Sequence, residues 1–385
     1  MEPRKSSETE PPKPRYRPDE LIVAEEALDS VKRALEDAEI TIEPIERVGR
    51  HRRVLLRTTR PHFEEEDLVK EALKALTDRG VDAKSVAEPN YIYGCPQMRG
   101  GQFVLPDPLP TADVAFRPSP IGAGVRVLVL DTEYYPLDPL HDVVPVPPVV
   151  PPIAEEPPGS GELAPAAGHG GFVLGQIARA APGVEILPPI AVLDRLGNTD
   201  DFTLASALNA IDLNNDPPHI VNLSLGGYTL TGRLSQVLRD ALQRLVDAGV
   251  VIVAAAGNHD SDLPFQPAAT RDLTVSVGAV VRVAADWARS AYSNYGDWVD
   301  FSAPGQVTGP YLVWAQQPQP YGGWARWAGT SFATPLVVGA LAALMSFQNP
   351  KDPQAAVAAL FNQSPGAPPD FPNAKVVKSP VLWPD

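Results

Sequence analysis

Two kinds of hydrophobic patterning follow one another along the chain, and the change between them divides it. Leu21 to Ala24 reads as a strand, and Ala27, Val31, Ala34 and Leu35 then recur at helical spacing. Ile40 to Ile45 and Arg53 to Leu56 read as two more strands. Leu68, Leu73 and Leu76 share one face of a second helix, and Val86 to Tyr93 closes the set as a strand. The order β-α-β-β-α-β predicts a small α+β ferredoxin-like domain. Beyond Pro120 the strands become continuously apolar. Val125 to Leu130 is interrupted only by Arg126, and Glu185 to Leu193, His219 to Leu225 and Val250 to Ala255 are its companions. Helices are expected from Gly170, over Phe202 to Leu213, over Arg233 to Val246 and over Gln354 to Leu360. Apolar strands interleaved with helices predict an α/β domain, a doubly wound, mostly parallel sheet with helices on both faces. In such sheets ligands bind at the carboxyl ends of the strands.

These patterns imply a disordered leader over residues 1–17, a small domain over 18–95, a connector over 96–120, a large domain over 121–350, and a helix with a proline-rich tail over 351–385. The 44 prolines of the 385 residues change one detail of the picture. Tyr134 to Ala167 is so dense in them that it predicts a surface loop, either a wall of a cleft or a solvated spacer. A net charge of −15 argues against nucleic acid or an anionic membrane as partner. The single cysteine, Cys95, excludes an intramolecular disulfide and a cysteine-based zinc cluster. Met1 to Pro18 lacks the apolar core of a secretory signal, and no apolar run reaches membrane-spanning length. A cytoplasmic protein is expected, with export by another route the alternative.

Four polar residues punctuate the apolar elements of the large domain. Asp131 ends a strand, where a carboxylate either caps a turn or orients a histidine. His169 opens a helix among glycines that leave room beside its ring. Asn258 follows the strand Ala254-Ala255-Ala256-Gly257, as a turn residue or as an amide donor to a developing oxyanion. Ser331 lies in Gly329-Thr330-Ser331-Phe332-Ala333-Thr334-Pro335, ahead of the apolar run Leu336 to Met345. Pro335 predicts the first turn of a helix there, and with it an exposed, rigidly held hydroxyl that either caps the helix or acts as a nucleophile. Any one of the four has a bland reading. Together, at strand ends and helix starts of one sheet, they point to nucleophile, base, orienter and oxyanion donor.

The stretches Val127-Leu128-Val129-Leu130-Asp131-Thr132, Gly168-His169-Gly170, Val221-Asn222-Leu223-Ser224-Leu225-Gly226-Gly227, Ala254 to Asn258 and Gly329 to Pro335 resemble the motifs of the subtilisin-like serine peptidases. The chain order of such a triad and the oxyanion asparagine are general knowledge of that family. The resemblance implies an autoprocessed serine endopeptidase with Ser331 as nucleophile, His169 as base, Asp131 as orienter and Asn258 as oxyanion donor. It also implies an edge strand at Ser224, Leu225 and Gly226 that binds an extended peptide or protein substrate. Gly197 to Asp201 would form the facing rim, where Asp200 and Asp201 either favour basic substrate side chains or cap the helix that follows. The N-terminal unit resembles the family's propeptide, with Val86 to Tyr91 as its closing strand, which implies an intramolecular inhibitor cut between Tyr93 and Gln102 where Pro96 permits. No cofactor is implied. Structural calcium would come from scattered loop oxygens that no contiguous motif reveals.

Two positions depart from the family pattern: Glu133 stands where glycine is usual, and Gly171-Phe172 where Thr-His is usual. Glu133 adds a negative charge that either raises the pKa of the histidine or points into the cleft. His259 either lines a substrate pocket or faces solvent in a turn. The competing reading is a peptidase-like binding or regulatory protein without efficient turnover. A different serine hydrolase is disfavoured, because no G-x-S-x-G elbow surrounds Ser331.

Overall fold

A computed structural model describes residues 11–48, 52–59, 67–82, 86–95, 105–109, 119–137, 140, 144, 153–284, 286–316, 320–349, 351–366, 368, 371 and 373–377. The N-terminal unit runs β1 (Tyr16–Ala24), α1 (Leu28–Glu36), β2 (Thr41–Val48), β3 (Arg53–Thr59), α2 (Leu68–Asp78) and β4 (Ala87–Gly94). Its antiparallel sheet has the order β2-β3-β1-β4. Leu21, Val23, Val54 and Leu56 alternate onto the buried face, where Val31, Leu35, Val69 and Leu76 of the two helices meet them. β1 begins before Leu21, and the Arg15 carbonyl accepts from Ile92 N–H at 2.8 Å, so part of the stretch expected to be a disordered leader is tied to the sheet.

β5 (Asp107–Leu109) follows, then the large domain: β6 (Arg126–Asp131), α3 (His169–Ala180), β7 (Glu185–Ile186), β8 (Ile190–Ala191), β9 (Asn198–Asp200), α4 (Asp201–Ala210), β10 (Ile220–Leu223), α5 (Gln236–Asp247), β11 (Val251–Ala255), β12 (Val275–Val283), β13 (Asp286–Arg289), β14 (Phe301–Pro304), β15 (Gln306–Trp314), β16 (Tyr321–Ala328), α6 (Thr330–Ser346), α7 (Pro353–Gln363) and β17 (Lys375–Val376). The main sheet has the order β17-β14-β12-β11-β10-β6-β7 and is parallel along that path. Because side chains alternate along a strand, Val127 and Val129 of β6 pack with α3 and α6 on one face. Leu128 and Leu130 pack with α4 and α5 on the other. No helix among the described residues is long and apolar enough to cross a membrane.

Three expectations change. Glu185 to Leu193 is two short strands, since Pro188 and Pro189 cannot donate to a ladder. Tyr134 to Ala167 is not solvated throughout: Tyr134, Tyr135, Leu137, Leu140, Val144, Ala164 and Ala167 are buried in the core beside α3, whereas 157–160 are exposed. Part of the connector is also structured, as β5 pairs with β16.

Candidate active site

The carboxyl end of β6 delivers Asp131, and the first residue of α3 is His169. Gly170 lets these two elements meet: a Cβ there would lie 2.8 Å from the Thr132 carbonyl oxygen and 3.3 Å from Asp131 Cβ. Its N–H donates to Thr132 Oγ1 at 2.9 Å. His169 Nδ1 donates to Asp131 Oδ1 at 2.7 Å, and the same oxygen accepts from Thr132 N–H at 2.7 Å. The imidazole is thereby held in the tautomer that leaves Nε2 as acceptor. Trp327 stands edge-on to its ring at 5.5 Å and Phe332 lies at 5.2 Å, so the imidazole sits in an aromatic box.

Ser331 is the second residue of α6, and it is buried, 2% exposed, rather than open to solvent. Pro335 lies in the helix interior, not in its first turn. Lacking an N–H, it cannot bond to the carbonyl four residues earlier, which is that of Ser331. Ser224 Oγ donates to this carbonyl instead, at 2.8 Å, and is itself held by Asn222 Nδ2 at 3.0 Å. The Ser331 hydroxyl donates to the Ser224 carbonyl at 3.2 Å. Asn258 follows β11, and its Oδ1 accepts from Thr330 N–H at 2.9 Å and from Thr330 Oγ1 at 3.0 Å. That anchors the amide with Nδ2 against Gly329, 3.2 Å from the place of a Cβ.

The end of the N-terminal unit fills the cleft beside these groups. Gly94 and Gly226 exchange both N–H···O bonds, at 2.9 and 2.8 Å, and β4 pairs on its other edge with β9. Cys95 N–H donates to the Gly197 carbonyl at 2.9 Å. An extended chain therefore lies as the middle strand between Gly226 and the rim at Gly197 to Asp200. The rest of the region expected to be cut, residues 96–102, lies outside the described residues.

The same unit caps both helices that flank the cleft. Glu88 Oε2 accepts from Gln236 N–H at 2.7 Å at the start of α5, and Asn90 Oδ1 from Phe202 N–H at 3.2 Å at the start of α4. Asp201, fully buried, accepts from Ser235 Oγ at 2.6 Å and from Tyr91 N–H at 3.2 Å, and its burial raises its pKa to about 8. Asp200 caps α4 through Thr203 N–H at 3.0 Å. Of the two readings of this acid pair the capping one describes Asp200, and Asp201 faces the docked domain. His259 is not solvent-facing: its ring packs against Tyr228 at 5.3 Å, and burial lowers its pKa to about 4, so it is neutral.

Asp131, His169, Ser224, Gly226, Asn258 and Ser331 thus share one site, while Leu225 is fully buried and contributes as core. Thr330, Asn222 and Trp327 were not foreseen. Asn222 carried a signal, since a polar residue inside the apolar strand β10 needs a partner when buried.

A subtilase-family model matches residues 122–374. An extracellular serine proteinase of Thermus strain Rt41A is 33% identical over 203 residues, 51% of this chain and 46% of that protein. A subtilisin-like protease 2 of Trichophyton verrucosum is 31% identical over 204 residues, 51% and 45% of the two chains. The matches cover about half the length of these relatives. Among solved structures, fervidolysin of Fervidobacterium pennivorans, a keratinolytic enzyme related to subtilisin, shares the fold with a TM-score of 0.65 at 18% identity, covering 95% of this chain and 61% of that one. A cold adapted subtilisin-like serine proteinase has a TM-score of 0.53 at 26% identity, covering 74% and 97%.

Proposed function

The chain belongs to the subtilase family, and on that premise we propose that it is a serine endopeptidase whose N-terminal unit occupies its own cleft until it is cut. In this reading Ser331 Oγ attacks the carbonyl carbon of the scissile peptide bond while His169 Nε2 takes its proton. Asp131 stabilises the imidazolium through the 2.7 Å bond to Nδ1. Asn258 Nδ2 and the Ser331 N–H receive the oxyanion. His169 then gives the proton to the leaving amine, and water, deprotonated by His169, releases the acyl group. Each step runs on side chains and backbone alone. Structural calcium, were it bound, would support loops and take no part in these steps.

One observation carries this reading: an extended segment, Ile92 to Cys95, is bound by main-chain hydrogen bonds on both edges beside the serine. That is the pose of a peptide substrate or of an inhibitor that imitates one. The test is to compare the size on a gel of the chain with Ser331 intact and with Ser331→Ala, and to treat each with a serine-directed phosphonate. Shortening and labelling that both depend on Ser331 support the proposal. Full-length, unlabelled protein that cleaves no peptide library overturns it.

The second reading, a binding or regulatory protein with little turnover, draws on the resting serine, whose hydroxyl points to the Ser224 carbonyl. It predicts a folded, cut chain that the phosphonate does not label.

A further inference from the structure

Beside the catalytic Asp131 lies a cavity of about 600 Å³ that the reaction above does not use. Its walls come from the end of β6, from the segment 153–159 and from the loop after β8, and they carry Glu133, Glu155, Asp194 and Arg195. Arg195 is ion-paired with Glu156, so three carboxylates set the charge of the space. Each uses one oxygen among the described residues. Glu133 Oε2 accepts from Tyr135 Oη at 3.2 Å, Glu155 Oε2 from Gly161 N–H at 3.2 Å, and Asp194 Oδ1 from Leu196 and Asn198 N–H, both at 2.9 Å. No three acidic, histidine or cysteine side chains among the described residues are grouped to hold one metal ion. The matching ligand is a longer cation that meets several of them in turn.

The bound segment shows which part of a substrate faces this space. Gly94 lies opposite Gly226, so in an antiparallel pair Cys95 lies opposite Leu225, and the next residue of a bound chain would lie opposite Ser224. The Ser224 carbonyl is 3.2 Å from Ser331 Oγ, so the residue opposite it carries the carbonyl that is attacked. Cys95 marks the residue just before. Cys95 belongs to the same large buried cluster as Leu193 and Ala166, two walls of the cavity. Burial, with Asp131 and Asp194 nearby, raises the pKa of its thiol. Cations already read the rim next to it: Arg15 donates to Asn198 Oδ1 at 2.8 Å within reach of the field of Asp194, and Arg17 pairs with Asp200 at 3.1 Å.

We propose that this cavity is a specificity subsite for a lysine or arginine at the substrate position immediately before the residue whose carbonyl is attacked. The Cys95 thiol rests on the Gly197 carbonyl at 3.6 Å and is not among the cavity walls, whereas a lysine or arginine at that position would reach the carboxylates. The segment 153–159, unreadable from its prolines alone, supplies Glu155 as one wall. This rests on the peptidase reading, and the test separates the two.

Processed enzyme is assayed on fluorogenic peptides with lysine, norleucine or glutamate at that position. Lysine is expected to exceed norleucine in kcat/KM on the order of tenfold, as one or two partly exposed ion pairs supply, and Glu155→Gln is expected to reduce that ratio severalfold. Equal turnover of lysine and norleucine overturns the subsite and leaves the peptidase intact. If no peptide is turned over and the phosphonate leaves Ser331 unlabelled, the peptidase reading fails. The cavity is then judged in the full chain carrying Ser331→Ala. There Cys95→Lys is expected to melt higher than Cys95→Met, and Glu155→Gln to shrink the difference. A lysine variant that melts no higher than the methionine one overturns the proposal.

Discussion

Raising the pH from 6 to 8 is expected to loosen the N-terminal unit from the cleft, and the residue responsible is Asp201. Docking buries this carboxyl under Tyr91 and beside Ser235, and the burial raises its pKa to about 8. Once the unit departs, water reaches the group and its pKa returns toward about 3.9. The docked state therefore holds the proton more tightly. The stabilisation this brings is complete below about pH 3.9 and is lost as pH rises toward about 8. Over the two units from pH 6 to 8 the loss is about 2.3 kcal/mol, roughly fiftyfold in the docking equilibrium, because the carboxyl is still half protonated at pH 8. Glu88, also raised by burial, acts with the same sign; Tyr91 and Tyr93 are raised and stay neutral throughout. Cys95, the one cysteine, is buried in the docked cleft and reports its opening. In the chain carrying Ser331→Ala, the rate of Cys95 alkylation by an uncharged reagent is measured with and without Asp201→Asn at each pH. The ratio of the two rates cancels the ionisation of the thiol itself. It is expected to rise roughly fiftyfold from pH 6 to 8 and to level off above that. A ratio that stays flat across that range refutes the reasoning.

Asn258→Ala is expected to lower kcat by about 10²- to 10³-fold with little change in KM, as loss of an oxyanion donor does; steady-state kinetics on one peptide checks it. Ser224→Ala leaves the buried Ser331 carbonyl without its donor, because Pro335 offers none, and is expected to cost about 1–3 kcal/mol in denaturant unfolding. Gly339→Ala would set a methyl 2.2 Å from Ala180 Cβ, forcing apart α3 and α6, which carry His169 and Ser331 in their first turns. A loss of about 1–3 kcal/mol is expected, with a fall in kcat in the part that still folds.

The sheet was readable because strands buried on both faces carry unbroken apolar runs, as in Val127 to Leu130 and Val251 to Ala255. The hairpin of β15 and β16 was not, although its Trp327 closes the box around His169. Its outer residues, Arg326 and Val313 among them, are exposed, and its glycines and Pro310 imitate a loop. The stretch Tyr134 to Ala167 failed for the opposite reason. Proline reports the lack of regular structure but says nothing of burial, so Tyr134 and Leu140 entered the core unannounced. The candidate residues Asp131, His169, Asn258 and Ser331 could be picked out because each stands at a strand end or a helix start. What composition could not convey is the local accounting of hydrogen bonds: that Thr330 orients Asn258, and that Ser224 replaces the N–H that Pro335 lacks.

On the proposed peptidase reading, that accounting also implies how a bound peptide would ready Ser331. The Ser331 hydroxyl rests on the Ser224 carbonyl. In the antiparallel register set by Gly94 and Gly226, the residue opposite Ser224 belongs to the next hydrogen-bonded pair, so its N–H is aimed at that same carbonyl. A substrate amide arriving there competes with the hydroxyl and lets it turn to His169 Nε2. In that reading, binding and activation of the serine would be one exchange of donors. A peptide N-methylated at that single amide cannot make the exchange. Its kcat/KM is expected to fall about tenfold or more, since one hydrogen bond of about 1 kcal/mol is lost and the hydroxyl keeps its resting partner. Methylating the next amide toward the amino end, which in this register faces the Gly197 carbonyl, removes a hydrogen bond without touching Ser224. Its effect is expected in KM, whereas the first acts on kcat as well. Equal effects of the two methyl groups on both constants would show that the Ser224 carbonyl has no part in releasing the nucleophile.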